Sequence, residues 1–488
     1  MKKIAIPLLC LLLLVSCGTK PAETGPFGDG FVPAFTVEGD AETVLVMDRK
    51  STGEFVWSEV ENGNRKLPCL AMADVIQKAK PRAQHYNLLL LGADGLSVKI
   101  DGEDLSGAHI AFSAEYGWEC VNLHHPVSSK VKMLQKIIVI SGEGAVDSDA
   151  TGLVDAAGTR TVTAGQIALE SLQTLRQFQG RSETGGNFAE VYAPSLRKPV
   201  PELLEAEKEI AIVGRDGSLA YDRNFAEAAL EIQGNRLDYV FENGDIVPDV
   251  AGLMADAPKF TVAEAYSDAL YFLENGQRVL MLELDGWGWE MFQKFRGEQP
   301  YLAAQKPKQT LAAYPPISQT GLATLLTGTL PDIHGIQSRV NRQIKAPDLF
   351  DAARKLGKSM AYVEGDVKLI DTSLMPRLSP DTNGKNGTDD EVLQNAKQFL
   401  DVELLVVHFH GIDDEATTFG PYSGEVAARM NLLDGYVKQL AALWEGKIIV
   451  TADHGLHPET GKDRLGSHGI FCREDMVVPY IIMDGDIK

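Results

Sequence analysis

From about residue 275 onward, short apolar runs alternate with segments that have the periodicity of amphipathic helices. The apolar runs are RVLMLELD, SMAYVEGD, ELLVVHFHG, KIIVTADHG and VVPYIIMDG, and the helical segments include GLATLLTG, APDLFDAARKLG, DDEVLQNAKQFL and GEVAARMNLLDGYVKQLAALW. Continuous apolar runs are typical of strands buried on both faces, and their alternation with helices indicates βαβ units. We therefore predict an α/β domain over residues 275–488, with a mainly parallel sheet between helices.

Two smaller, strand-rich α+β modules are predicted before this domain, over residues 31–145 and 146–265. The first contains NLLLLGADGLSVKI and the second EIAIVGRDGSLAY, and in each a Gly-x-Asp-Gly turn between apolar strands favours a hairpin. A helical pattern precedes each hairpin, in LAMADVIQKAK and VPELLEAEKEI. The shared pattern suggests a tandem duplication with a period near 120 residues. A chance similarity of two hairpins is the alternative.

The first seventeen residues, 1–17, have the pattern of a signal peptide. Two lysines precede an apolar stretch from Ile4 to Val15, which is short for a membrane span. The segment that ends at Cys17 resembles the lipobox of bacterial lipoproteins, and that resemblance makes Cys17 a lipidated residue. An ordinary secretory signal is the alternative. Residues 18–30 indicate a flexible tether, so we expect a lipid-anchored, extracytoplasmic protein of the cell envelope.

Composition narrows the classes of partner. The chain has 488 residues and a formal net charge of −22, which argues against a nucleic-acid surface. It does not argue against a small phosphate substrate, because bound metal ions reverse the local charge. An oxidising compartment would permit a disulfide between Cys69 and Cys120. No CxxC spacing is present, so a cysteine-based zinc site is not expected.

Acidic and histidine side chains follow three of the predicted strands. Asp285 follows MLEL, Asp413 follows VVHFHGI, and the pair Asp453 and His454 follows KIIVTA. Open α/β sheets bind ligands at the carboxyl ends of their strands, and carboxylates and imidazoles are ligands of divalent metals. His468 lies in a glycine-flanked loop that can bend back toward the same edge. Each residue alone has a structural alternative, such as a helix cap for Asp285.

Ser318 is a candidate nucleophile. It follows two prolines in PPISQTG and precedes a predicted helix, so it lies near a helix N-terminus that favours phosphate. A metal ion could activate its hydroxyl for attack on phosphorus. A helix-capping role is the alternative, and Thr320 is the competing hydroxyl.

Six ordered motifs, taken together, resemble the alkaline phosphatase superfamily, and most closely its branch of type I phosphodiesterases and nucleotide pyrophosphatases. They are LDGWG, S-x-x-G-x(6)-G, LPDIHGI, DDEATTFGP, TADHG and GSHG. The resemblance implies a sheet between helices, two divalent metal ions, usually zinc, and hydrolysis of phosphoesters through a covalent intermediate. It implies Ser318 as the nucleophile. It also implies metal ligands in two groups, with Asp285, Asp453 and His454 in one, and Asp413 and His468 in the other.

Thr417 departs from that pattern. The family usually has a histidine four residues after the acidic ligand that corresponds to Asp413, and threonine is a poor substitute for imidazole. Three outcomes are open. The second ion is held weakly by Asp413, His468 and water; or His408 or His410 substitutes; or the site binds one ion or none and has lost activity.

Two hypotheses follow from the sequence. The first is a membrane-anchored, metal-dependent hydrolase that acts on a small phosphoester through a phosphoseryl intermediate. The second is a non-catalytic or one-metal lipoprotein that binds a ligand or partner and carries a degraded site. A transferase on the same fold is a third, less favoured interpretation. Substrate identity and oligomeric state do not follow from the sequence.

Overall fold

A computed structural model describes residues 26–125, 129–142, 149–170, 172–177, 190–194, 196–384, 387–460 and 464–487. The predicted signal segment, its Cys17 and most of the tether lie outside these residues, so the lipid anchor and its extracytoplasmic location stay predictions. Within the described ranges, no helix combines the length and apolar character needed to cross a membrane.

The described residues group into two compact units. The first holds residues up to Val139 together with Thr174–Ala193, and the second holds Ile140–Gln173 and everything from Pro194 onward. The first unit begins with β1 (Phe35–Gly39), β2 (Leu45–Met47), β3 (Ser58–Asn62), β4 (Arg65–Ala71), α1 (Met72–Ala79), β5 (Tyr86–Gly92), β6 (Ser97–Asp101), β7 (Ala108–Ser113), β8 (Gly117–Asn122) and β9 (Leu134–Ser141). These strands form two sheets, ordered β2-β1-β9-β5-β6 and β3-β4-β7-β8.

The elements of the second strand-rich module follow. They are β10 (Thr151–Asp155), β11 (Gly158–Val162), α2 (Ala164–Glu170), β12 (Leu172–Gln177), β13 (Glu190–Pro194), β14 (Arg197–Pro199), β15 (Ile210–Gly214), β16 (Leu219–Asp222), β17 (Ala229–Gln233), β18 (Arg236–Val240), β19 (Ile246–Val247) and β20 (Val250–Ala255). β12 pairs with β13, and the other strands form sheets ordered β11-β10-β20-β15-β16 and β14-β17-β18-β19. In the first five-stranded sheet, β1 pairs antiparallel with β2 and parallel with β9. In the second, β10 likewise pairs antiparallel with β11 and parallel with β20. The five-stranded sheets of the two modules therefore share one strand order, whereas their four-stranded sheets differ, and the tandem duplication stays a prediction.

Both predicted hairpins form, as β5 with β6 and β15 with β16. The helix predicted in LAMADVIQKAK forms as α1, but the helix predicted in VPELLEAEKEI was wrong. Only Val200–Glu202 forms a turn of 3-10 helix there. Pro201 cannot donate a backbone hydrogen bond, and the acidic residues that follow repel one another along a helix. The buried Leu203 and Leu204 therefore anchor a loop and not a helix.

Cys69 and Cys120 are buried free thiols, so the permitted disulfide does not form. Cys69 lies opposite Ala111, and Cys120 lies opposite Ile110, so β7 separates the two cysteines. Strands two positions apart are about 9–10 Å from each other, beyond the reach of a disulfide. Burial raises the pKa of the Cys120 thiol, which leaves it unreactive.

The C-terminal part carries the remaining elements. They are α3 (Glu264–Glu274), β21 (Val279–Leu284), α4 (Trp289–Lys294), α5 (Pro300–Ala304), β22 (Lys308–Leu311), α6 (Ser318–Thr327), α7 (Pro331–His334), α8 (Leu349–Lys355), β23 (Met360–Glu364), β24 (Arg377–Leu378), α9 (Asp389–Ala396), β25 (Leu404–Phe409), α10 (Gly411–Phe419), α11 (Gly424–Ala441), β26 (Lys447–Thr451), β27 (His457–Pro458), β28 (Gly466–Ser467), α12 (Arg473–Met476) and β29 (Val477–Asp484). All four helices predicted from periodicity form, as α6, α8, α9 and α11.

Seven of these strands form one sheet, ordered β22-β29-β26-β21-β25-β23-β24. β21 pairs in parallel with β25 and β26, and β23 pairs in parallel with β24 and β25. β29 runs antiparallel to its neighbours, which the apolar pattern of its sequence did not indicate. Every residue of β21 and β25 is buried, so both faces of the sheet are covered. The predicted fold class is confirmed: a mainly parallel α/β sheet preceded by strand-rich modules.

Candidate active site

Three neighbouring parallel strands bring the predicted site residues to one edge of the sheet. β21 lies between β25 and β26. Asp285 follows β21, His410 follows β25, and Asp453 comes shortly after β26. The carboxyl ends of parallel strands open toward the same edge, and polar side chains from all three strands meet there.

The chain turns sharply immediately after Asp285. Gly286 has a φ of 74°, which is costly for a residue with a side chain. A Cβ atom at this position would also lie 2.6 Å from Leu456 Cδ1 and 3.1 Å from the Asp413 Cα. The glycine therefore allows the first turn of α10, which carries Asp413, to approach the end of β21.

Ser318 is the hydroxyl that contacts this edge. It is the first residue of α6, and its Oγ lies 3.4 Å from Asp285 Oδ1 and 3.2 Å from His454 Nε2. The competing hydroxyl, Thr320, instead donates a hydrogen bond to the Ile336 carbonyl oxygen at 3.2 Å. Of the two candidates, only Ser318 faces the predicted metal ligands.

A glycine one turn into α6 fixes the position of Ser318. A Cβ atom on Gly321 would lie 2.5 Å from both the Cβ and the carbonyl oxygen of Asp453. No side chain larger than hydrogen fits that gap. The S-x-x-G spacing therefore lets the start of α6 pack directly against the end of β26 and bring the hydroxyl to the carboxylates.

Four donor atoms form the first cluster: Ser318 Oγ, Asp285 Oδ1, Asp453 Oδ2 and His454 Nε2. His454 Nε2 lies 3.4 Å from Asp285 Oδ1 and 3.3 Å from Asp453 Oδ2. Ligand atoms around a tetrahedral zinc ion, with bonds of about 2.0–2.1 Å, are separated by about 3.3 Å. The residues of this cluster therefore fit a zinc ion.

Surrounding hydrogen bonds orient two of these ligands. His454 Nδ1 lies 2.9 Å from the Gly455 carbonyl oxygen, so we assign the proton to Nδ1, which leaves the Nε2 lone pair facing the cluster. Asp453 Oδ1 accepts hydrogen bonds from the backbone amides of Gly286 and His454. Asp453 Oδ2 is buried and has no hydrogen-bond partner in the described part of the chain, as expected for an atom that binds a cation.

Asp413 and His468 form the second cluster with the neighbouring His454, and their ligand atoms all lie within 4.8 Å of one another. His468 Nε2 is 3.6 Å from Asp413 Oδ1, and this oxygen is also buried without a partner among the described residues. His468 Nδ1 donates to the Pro316 carbonyl oxygen at 2.9 Å. Thr417 lies one turn after Asp413 in α10, half-buried. Because His454 is already a ligand of the first cluster, the second cluster has two protein ligands of its own, Asp413 and His468, whereas the first has three.

The loop that carries His468 is held from two sides. Asp475 Oδ2 accepts hydrogen bonds from the amides of Gly469 and Ile470, while its Oδ1 pairs with His457 Nδ1 at 2.8 Å. On the other side, Phe471 packs on glycines of β10 and β20, and a Cβ atom on Gly252 would lie 2.0 Å from its ring. His468 is therefore placed by contacts that extend into the second strand-rich module.

Arg339 reaches the second cluster from an exposed loop. Its Nη2 lies 2.8 Å from His468 Nε2, close enough to donate a hydrogen bond. Nε2 is also the atom that would bind a metal ion, and a nitrogen lone pair serves only one of these roles at a time. The Arg339 guanidinium and a metal ion therefore cannot share the His468 Nε2 lone pair.

The clustered acids perturb one another's ionisation. Burial raises the pKa of Asp413 to about 8, and Asp285 adds to the effect. Burial, followed by the charge of Asp285, also raises the pKa of Asp453 well above its usual range. Burial lowers the pKa of His468 to about 3, which keeps the imidazole neutral. Buried carboxylates that resist ionisation and neutral imidazoles are a donor set that a divalent cation stabilises.

Sequence reasoning missed two groups that border the site. Arg339 lies in a loop without a recognisable motif, and nothing in its surroundings indicated a role. Glu283 and Glu364 are fully buried beside His408. A glutamate inside the apolar run MLEL was a signal for Glu283, because a charged side chain within a buried strand requires a partner.

Part of the chain that carries the candidate active site is similar in sequence to known proteins. Residues 362–474 match the family model described as type I phosphodiesterase / nucleotide pyrophosphatase. The matched stretch contains four of the six predicted site residues: Asp413, Asp453, His454 and His468. Over 174 residues, the chain is 25% identical to the GPI ethanolamine phosphate transferase 3 of Schizosaccharomyces pombe. The alignment covers 33% of this chain and only 18% of that protein.

Two solved structures of murine ectonucleotide pyrophosphatase/phosphodiesterase 5 also align, one of them an inactive form in complex with AMP. They are 12% and 13% identical to this chain, with a TM-score of 0.35, and each alignment covers 42% of this chain and 87% of the other. The family match over residues 362–474, which carry Asp413, Asp453, His454 and His468, supports a function in phosphoester hydrolysis or transfer.

Proposed function

We propose that the C-terminal part is a metal-dependent phosphoesterase in which Ser318 is the nucleophile. The observation that carries the proposal is the position of the Ser318 hydroxyl, within 3.4 Å of Asp285 and 3.2 Å of His454. The match of residues 362–474 to a phosphodiesterase family supports the substrate class. A small phosphoester, more favoured as a diester or nucleotide-like compound than as a monoester, is the proposed substrate.

In the proposed reaction, the Ser318 hydroxyl gives up its proton and its oxygen attacks phosphorus, while the bond to the leaving oxygen breaks and that oxygen takes up a proton to leave as an alcohol. Water then hydrolyses the phosphoseryl group and regenerates the hydroxyl. Asp285, Asp453 and His454 would hold one divalent ion, proposed to be zinc, and Asp413 and His468 would hold a second. Such ions, when bound, would supply positive charge that favours the ionised serine and offsets the charge of the phosphate.

The position of Ser318 also favours phosphate binding next to the nucleophile. α6 begins at this residue, so backbone amides of its first turn are available to phosphate oxygens. The buried surroundings strengthen every electrostatic interaction with the substrate. The exposed Arg339, whose guanidinium lies 2.8 Å from His468 Nε2, is proposed as a further donor for the non-reacting oxygens.

A second candidate function is a binding protein with a degraded site. Two observations favour it: Thr417 stands where the family pattern has histidine, and Arg339 occupies the lone pair of His468. In that case the first cluster would still bind one ion, but no phosphoester would be turned over.

Substitution of Ser318 separates the two candidates. For the zinc-loaded full chain, we expect Ser318→Ala to lower turnover of bis(p-nitrophenyl) phosphate by on the order of 1,000-fold or more. Metal content should stay close to that of the wild type, because three ligands of the first cluster remain. The matched control is Thr320→Val, which removes the neighbouring buried hydroxyl.

Thr320→Val should retain turnover within about tenfold, at a cost of about 1 kcal/mol in stability from the lost hydrogen bond. Full activity of Ser318→Ala would disprove the nucleophile assignment. Absence of turnover in the wild type, against both this diester and p-nitrophenyl phosphate, would favour the binding protein.

A further inference from the structure

The two carboxylate oxygens of Asp285 face different groups of ligands. Oδ1 faces Ser318 and His454, which belong to the first cluster. Oδ2 faces away from them, toward His408 Nε2 at 3.3 Å and His410 Nδ1 at 3.1 Å. These three ligand atoms lie within 4.8 Å of one another. Asp285 therefore stands between two separate sets of donor atoms.

Strand geometry explains why the two histidines converge. His408 belongs to β25 and lies directly across from Glu283 of β21, while His410 follows two residues later and points to the same face. Their rings are close, with centroids 4.0 Å apart. Gly365 leaves room for the second ring, since a Cβ atom there would lie 2.8 Å from His410 Cδ2.

Unpartnered buried acids surround this second face. Glu283 is 1% exposed, and neither of its carboxylate oxygens has a hydrogen-bond partner among the described residues. Glu364 is fully buried; its Oε1 accepts a hydrogen bond from the Leu369 amide at 3.1 Å, and its Oε2 has no partner among the described residues. Both acids lie 3.7 Å from His408, which is long for a charge-assisted hydrogen bond. Buried carboxylates without partners are costly, so this region requires positive charge.

We propose that Asp285, His408 and His410 form a third metal site, on the opposite side of Asp285 from Ser318. The 3.3 Å and 3.1 Å separations approach the ligand spacing of about 3.3 Å around zinc. Two imidazoles and a carboxylate select a transition ion such as Zn²⁺ over Mg²⁺ or Ca²⁺. Glu283 lies 3.7 Å from His408 Nε2 and Glu364 lies 3.7 Å from His408 Nδ1, so both carboxylates are close enough to offset the charge of an ion. The inference rests on the proposed function in one respect: Asp285 is a ligand in both.

The site is distinct from a replacement for the missing histidine at 417. His408 and His410 face Asp285 and not the pair formed by Asp413 and His468. The third site therefore does not supply the ligand that the second cluster lacks because residue 417 is threonine and not histidine. The competing account of the same contacts is a protonated His408 that itself serves as the cation among the carboxylates.

Zinc stoichiometry tests the proposal. The full chain is stripped with chelator, reloaded with Zn²⁺, freed of excess metal and measured by elemental analysis. We expect His410→Ala to bind about one equivalent less than the wild type, and Asp285→Asn to bind less than His410→Ala because its carboxylate serves two ions. The matched control is His85→Ala, which removes an exposed histidine of the first unit and should change nothing.

Equal zinc content in the wild type and His410→Ala would overturn the third site and favour a protonated His408. Equal unfolding temperatures of the metal-free wild type and His410→Ala exclude misfolding as the cause of a loss of zinc. If His410→Ala does not fold, His410→Gln serves as the second variant. Phosphodiester turnover is measured in parallel. If the wild type turns over the phosphodiester but His410→Ala keeps the full zinc content, the third site is rejected and the proposed hydrolase is not. If His410→Ala loses zinc but the wild type shows no turnover, the proposed hydrolase is rejected and the third site is not.

Discussion

Thr417 and Asp413 lie four residues apart in α10, so their side chains project from the same face of the helix. Asp413 already points one unpartnered oxygen toward His468 in the described structure. A histidine at 417 would add a third protein ligand on the same side. The deficiency of the second cluster therefore depends on a single residue.

Restoring that ligand should strengthen the second cluster. We expect Thr417→His to raise the affinity of the weakest zinc ion by about tenfold or more, because imidazole is a far better zinc ligand than a hydroxyl. Zinc titration of the chelator-treated protein measures the change, and phosphodiester turnover should rise with it. Thr418→His, at the next and exposed position of α10, is the control. No change in affinity or turnover would argue that Thr417 is not the cause of a weak site.

The sequence was sufficient to predict residues that occupy the ends of strands. Asp285, Asp453 and His454 each follow an apolar run, so the sheet itself brings them together. Arg339 could not be predicted in this way, because its contact with His468 joins two loops whose conformation no periodicity determines. The opposite orientation of the two Asp285 oxygens also required atomic positions.

At the scale of elements, a buried histidine joins α7 to the helix that begins with Ser318. His334 lies 3.0 Å from Thr324 Oγ1 on α6, and its Nδ1 accepts a hydrogen bond from the Ile336 amide. An Nδ1 that accepts must be unprotonated. The contact therefore holds the LPDIHGI segment against the nucleophile helix only while the imidazole is neutral.

This contact makes stability depend on pH. Burial lowers the pKa of His334 to about 4, whereas an unfolded histidine titrates near 6.5. Below about pH 6.5 the unfolded chain binds the proton more readily, so stability present at neutral pH is lost as the pH falls toward 4. We expect the wild type to lose about 2–3 kcal/mol more than His334→Asn between pH 7 and pH 4.

Denaturant unfolding at both pH values measures this difference, and His85→Asn provides a control with an exposed histidine. If the free energy of unfolding falls by the same amount in the wild type and in His334→Asn between pH 7 and pH 4, His334 is not neutral in the folded protein. Secondary structure in this region was predictable from the periodicity of GLATLLTG, but a side-chain contact between consecutive helices was not.

At the scale of the whole chain, the second strand-rich module makes a contact that bears on the site. In the second module, Gly152 of β10 and Gly252 of β20 are direct partners in the parallel ladder. Phe471 lies against both glycines and is 5% exposed. The hairpins that indicated a duplication gave no sign of this contact, because it joins residues hundreds of positions apart.

Filling that space should disturb the metal site from a distance. We expect Gly252→Ala to displace Phe471, to destabilise the protein by about 1–3 kcal/mol through overpacking, and to weaken zinc binding at the cluster that contains His468. Thermal unfolding and zinc titration measure the two effects. Gly435→Ala is the control, since a Cβ atom at that helical position meets no neighbouring atom, and it should leave zinc binding unchanged. Unaltered zinc affinity in Gly252→Ala would show that the packing of Phe471 does not position His468.

The two-sided carboxylate of Asp285 has a thermodynamic consequence. An ion bound through Oδ1 draws electron density from the same group that offers Oδ2 to His408 and His410. With a shared ligand, neither site has an affinity that is independent of the other. If the first ion changes the affinity of the neighbouring site by some factor, the neighbouring ion must change the affinity of the first site by the same factor. Metal loading would then be a cooperative property of the pair, positive or negative in sign, and not a sum of separate affinities.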